Sequence, residues 1–169
     1  MDAVYFRRSR FRDNLATLLQ GAFPNETVET CLIPDHTREE IATYDNARLI
    51  IVRNGTQTVD ASDGDANERQ ITVEIGVLGA LSPLQQGNGK TKSEFRQQRK
   101  TEADELDALT QEIIDLWAPT GQASIIGSED FAFRSLDTVP LDVDRLYNSN
   151  TYLSLIRLNY YDTLDRQTP

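Results

Sequence analysis

Gln70-Ile-Thr-Val-Glu-Ile-Gly-Val-Leu-Gly-Ala-Leu81 is the stretch that decides the fold. Ile71, Val73, Ile75 and Val77 alternate with Thr72, Glu74 and Gly76. A sustained period of two, rich in β-branched residues, reads as a half-buried strand. Downstream, Glu102–Trp117 places Leu106, Leu109, Ile113, Leu116 and Trp117 at i, i+3, i+7, i+10 and i+11, one stripe of a helix. Glu105, Asp107, Glu112 and Asp115 fall mostly off that stripe. Thr101 with Asp104 reads as the helix start and Pro119 as its end. A strand with one apolar face and a helix with one apolar stripe bury both by packing together, so the expected class is α+β.

Working outward, Ala47–Arg53 is a second strand, apolar on both faces and therefore interior. Asn54-Gly55 supplies turn chemistry at its end, and residues 54–69 read as a long polar hairpin loop. Before it, residues 4–20 read as a helix with Phe11, Leu15, Leu18 and Leu19 on one face, Gly21 as its C-cap and Pro24 beyond. Val28–Pro34 reads as a short strand, and Asp35–Tyr44 holds a turn of helix. After the central strand, residues 82–92 read as a flexible linker rich in Gln, Gly and Asn. Ser93–Lys100 extends the main helix backwards, with Phe95 as an anchor. Phe131–Leu136 is a further strand, and Val139–Asn150 is a connection broken by Pro140. Thr151–Tyr161 is a last strand, long and apolar enough to pair centrally or to meet a neighbouring subunit. The whole is one domain over 1–169. Its antiparallel or mixed sheet packs against an N-terminal helix and the long amphipathic helix at 102–117.

The composition narrows the function classes. A chain of 169 residues is large enough to bury roughly 70% of its unfolded surface. It has no run of about 18 apolar residues, so no membrane partner is expected. The N-terminus has no apolar signal region, and Cys31 is the only cysteine, so no intrachain disulfide can form. A formal net charge of −10 argues against duplex DNA as a ligand, because such binding neutralises phosphates.

Motifs that would announce a reaction are incomplete. Asp63, Asp65, Asn67 and Glu74 occupy four ligand positions of a calcium loop, but Glu68 stands where the sharp turn needs glycine. Gly89-Lys90-Thr91 lies between strand and helix as a phosphate loop would, but Leu84 stands where its first glycine belongs. His36 is the only histidine and has no Cys/His cluster around it. There is no serine in a nucleophile elbow. No catalytic residue, cofactor or metal ligand is expected.

What remains is charge. Arg7, Arg8, Arg10 and Arg12 crowd the first turns of the opening helix, where cations oppose the macrodipole. They read either as a solvated basic face or as a contact for an acidic partner, another copy of this chain included. Asp60, Asp63, Asp65 and Glu68 form an acidic counterpart in the hairpin.

The order of elements resembles that of tail terminator (tail-completion) proteins of long-tailed bacteriophages. Three pieces carry the resemblance: the helix ending Leu18-Leu19-Gln20-Gly21, the strand pair Leu49-Ile-Ile-Val-Arg53 and Ile71-Thr-Val-Glu-Ile75, and the helix Leu106–Trp117 with two late strands ending in Leu155-Ile-Arg-Leu158. It spans about Ala3 to Asp162. The resemblance implies a hexameric ring in the virion, assembled in the host cytoplasm. The ring would cap the tail tube, with the sheath as a further partner in contractile tails, stop polymerisation and dock the neck and head-completion proteins. It further implies a non-enzymatic role, with DNA passing through the lumen unbound. A head-completion or neck connector protein is the nearest alternative. A small enzyme or a binding module unrelated to virions is the other.

Overall fold

The computed structural model describes residues 4–60, 68–82, 91–117, 130–139 and 141–162. The strands β1 (Val28–Thr30), β2 (Arg48–Asp60), β3 (Glu68–Ala80), β4 (Phe131–Val139) and β5 (Thr151–Asp162) form one sheet in the order β1-β2-β3-β5-β4. β1 is parallel to β2 and the other neighbours are antiparallel, so the sheet is mixed. Among the described residues, four α-helices accompany it: α1 (Val4–Ala22), α2 (Arg38–Ile41), α3 (Lys92–Asp115) and α4 (Val143–Ser149). The α+β class expected from β3 and α3 is the one observed.

β3 is the middle strand, and it is buried on both faces rather than one. Ile71, Val73, Ile75 and Val77 meet Phe11, Leu15 and Leu19 of α1 and Leu106, Leu109 and Ile113 of α3, with Trp117 just beyond that helix. The opposite face carries a second, smaller cluster of Ile41, Leu49, Ile51, Leu78 and Leu153. Gly79 lets α3 close on the sheet, since a Cβ there would lie 2.2 Å from Leu106 Cδ1. The last strand, β5, pairs centrally between β3 and β4.

Four expected boundaries move. The loop at 54–69 is largely ladder: β2 continues to Asp60, β3 begins at Glu68, and their register runs from Gln57↔Ile71 to Asp60↔Glu68. Asn54-Gly55 is a bulge and not a turn, because the register shifts between Asn54 and Gln57. Polar residues such as Thr56 and Thr58 obscured the strand, since exposed positions tolerate them without breaking the backbone ladder. The main helix starts at Lys92: Ser93–Lys100 does extend it backwards, with Phe95 buried, so its start lies ten residues before the Glu102 expected from the stripe alone. Thr91 Oγ1 accepts from Glu94 N and the Glu94 carboxylate accepts from Thr91 N, a reciprocal cap. Thr101, the expected cap, lies inside the helix and donates to Gln97 O. Residues 91 and 92 therefore belong to this helix start, and residues 83–90 of the expected linker lie outside the described residues. α1 runs through Gly21 to Ala22. Finally, the 139–150 connection folds into α4, capped by Asp142 and closed by Asn150 in the left-handed region at φ 51°.

Candidate subunit interface

The four helical arginines have four different fates. Arg7 shares the inward stripe of α1 with Phe11, Leu15 and Leu19, spaced four residues apart, and is buried. It makes a two-pronged pair with Asp162 at the end of β5, at 2.9 and 2.8 Å, and lies 5.5 Å over the Phe131 ring. Arg8 reaches sideways to the bulge, donating to Gly55 O at 2.9 Å and to Gln57 Oε1 at 3.2 Å. Burial lowers its pKa from the ordinary guanidinium value. Arg12 pairs with its neighbour Asp13. Arg10 stands exposed on the outer face, one helical turn from Phe6, which is 62% exposed. Arg7 and Arg8 thus hold α1 to the sheet, and the outward basic character of α1 rests on Arg10 and Arg12.

The acidic candidates lie at the far end of the β2–β3 hairpin. Asp60 and Glu68 pair in register as its last described rung. Asp63 and Asp65 lie outside the described residues.

The second face of the sheet grades from apolar to charged. Past the small cluster, one row across four strands reads Arg53, Glu74, Arg157, Asp137, alternating in sign. Only the Arg53–Glu74 pair closes to 3.5 Å. The next row is a hydrogen-bonded run: Thr56 to Thr72 at 3.3 Å, Thr72 to Asn159 at 3.3 Å, and Asn159 to Ser135 at 3.0 Å. Opposite charges on neighbouring strands stabilise the sheet and keep its register.

Beside that face, the segment after β1 is held from below. Arg145 of α4 donates to the carbonyls of Pro34 and His36, and Arg53 donates to Leu32 O. Burial lowers the Arg145 pKa, as expected for a guanidinium turned inward. The side chains of Leu32 and Ile33 meanwhile point outward, 85% and 58% exposed. His36 lies 3.8 Å from Glu29, a polar turn residue. Cys31 is half-buried against the small cluster, and burial raises its thiol pKa.

Several clefts open among the described residues. One of about 260 Å³ holds Arg38, Arg48, Ser82, Glu102 and Glu105. Arg48 is paired with Glu26, and Glu102 accepts from both Ser82 and Gln98. Among the described residues, no group of three or more His, Cys, Asp or Glu could hold a metal ion, and no helix is long and apolar enough to cross a membrane.

The sequence offered signals that went unread. Thr91-x-x-Glu94 is a complete capping box. Asp162 and Arg145 carried no local signal, because their partners are distant in the chain. Compared with models of known protein families, the chain matches none, and comparison with curated proteins finds no relative.

Proposed function

We propose that this chain is a tail terminator: copies close into a hexameric ring that caps a tail tube, stops its growth and offers a surface to the neck and head-completion proteins. The observation that carries the reading is a single continuous sheet whose buried and cleft-lining charges pair with one another, while six large apolar side chains stand exposed among the described residues. Exposed apolar groups mark surfaces for partners, whereas an active site needs polar groups converging on a cavity. The order of elements along the chain, from α1 through the β2–β3 hairpin and α3 to β5, supports the same reading. Net acidity suits a lumen through which DNA passes without sticking, since like charges repel. Tail tube protein above all, and sheath protein in a contractile tail, are the expected partners, in the virion's tail–neck region.

The test is assembly in vitro. Purified protein should form rings in electron micrographs and, added to polymerising tube protein, should arrest tubes at a fixed length. Tubes that grow on unchanged, or turnover of a small molecule by the isolated chain, would sink the reading.

A further inference from the structure

α3 is charged along its length, and its charges are sorted by sign. From Lys92 to Lys100 it carries Lys92, Arg96, Arg99 and Lys100 against one acid, Glu94. From Thr101 to Asp115 it carries six carboxylates and no cation. The helix dipole favours the reverse order, with acids near the start and cations near the end. Folding of the single subunit therefore gains nothing from this sorting.

Part of that charge is used inside the subunit. Glu94 closes the cap at Thr91, and Arg99 donates to Leu146 O. Glu102 accepts from Ser82 and Gln98. Glu105 and Glu112 line a cleft with Arg48, whose pKa is raised by its hydrogen bond to Glu26 first and by these two carboxylates in addition. Three cations and three acids remain: Lys92, Arg96 and Lys100, then Asp104, Asp107 and Asp115. All six are exposed, and no ion pair from any of them closes within 4 Å among the described residues. Steps of three, four and eight residues put them on one outward stripe, opposite the buried Leu106, Leu109 and Ile113.

We infer that two copies of this chain pair across their α3 helices, antiparallel and about a two-fold axis, the basic end of each lying on the acidic end of the other. A stripe that is positive at one end and negative at the other complements itself only when turned end for end. In one such register Lys92 meets Asp115 of the second copy, Lys100 meets Asp107, and each pair occurs twice. The two charged ends are centred about 18 Å apart, at a rise of about 1.5 Å per residue. A small domain is about 30 Å wide, so two separate neighbours cannot each take one end. A single antiparallel copy covers both. This contact is therefore two-fold and distinct from the head-to-tail contact that closes a ring. It goes beyond the ring reading and does not need it. Because the stripe is built of exposed charges, the association is weak and depends on salt.

The experiment is light scattering across a concentration series at low and high ionic strength. At about 0.01 M salt, where the screening length is about 30 Å, the associating unit (single chain or ring) should double in mass. At about 1 M, where that length is about 3 Å, it should not. Lys92→Glu, Arg96→Glu and Lys100→Glu together, or Asp104→Lys, Asp107→Lys and Asp115→Lys together, should weaken the doubling by at least about tenfold, as opposing like charges does. Both triple changes move charge toward the order the dipole favours, so lost pairing is not lost structure. Mixed one to one, the two variants should pair with each other where neither pairs with itself. A wild-type chain that shows no doubling at low salt overturns the contact and leaves the ring reading standing. Doubling that ignores salt, doubling that survives both triple changes, or a mixture that stays unpaired does the same. Rings that fall apart in either triple variant overturn the two-fold contact by assigning α3 to the ring. Salt-dependent doubling of a chain that forms no ring supports the contact and counts against the ring.

Discussion

The two faces of the sheet are built on opposite plans. The face under α1 and α3 is sealed by aliphatic and aromatic side chains, and its polar members are paired inside the seal. Arg7 meets Asp162 there, and the Trp117 indole N–H donates to the Tyr160 hydroxyl at 3.0 Å. Burial raises the Tyr160 pKa well above the ordinary phenol value. The other face is apolar only where α2 covers it, and it passes through an alternating row of charges to exposed residues. The first plan supplies stability and tolerates little. The second leaves surface available to partners and should tolerate much.

The largest expected effect tests the sealed face. Asp162 and Arg7 side chains are 0% and 7% exposed, so neither charge is relieved by water. Asp162→Ala leaves the buried guanidinium without its carboxylate and should cost about 3–5 kcal/mol, measured by urea unfolding. Replacing both residues by apolar ones of similar volume should recover much of that loss, because the desolvation of two ions is removed together. A loss below about 1 kcal/mol for Asp162→Ala would mean the pair is hydrated and the seal is open.

How far the sequence foretold this contrast can be stated residue by residue. The alternation at Ile71–Val77 and the stripe from Leu106 to Trp117 placed the sealed layer correctly, because the apolar set of each faces the other, although Thr72, Glu74 and Gly76 on the opposite face of β3 are buried as well. The 57–60 end of β2 was invisible, because Gln57 and Thr58 are exposed and polar and Val59 alone sets no period. The fate of the arginines was equally hidden. Four basic residues in six positions look alike in a sequence, yet α1 turns Arg7 inward, Arg8 sideways and Arg10 outward. Which cation is structural depends on Asp162, 155 residues away.

A middle-sized effect separates the two faces within one strand. Gly79 points at Leu106 on the α3 side, where a Cβ would meet three atoms of that side chain at 2.2–3.1 Å. Gly79→Ala must push α3 off the sheet or force Leu106 from its rotamer, at about 1–3 kcal/mol. Thermal unfolding reads it directly, and Leu106→Ala in the same chain should cancel part of the loss. If the double variant is as unstable as the sum of the singles, Leu106 is not the group that glycine makes room for.

The smallest effect is expected where the second face is most highly charged. Arg157 lies between Glu74 and Asp137 in the alternating row, yet its side chain is exposed and no ion pair from it closes within 4 Å among the described residues. Exposed charges at such separations interact through water and are screened by salt. Glu74 keeps Arg53 on its other side whether or not Arg157 is present. Arg157→Ala should therefore cost no more than about 0.5 kcal/mol, and less still at high ionic strength. A loss approaching that of Asp162→Ala would show that this row is a closed core, and the division between a stabilising face and an available one would not survive it.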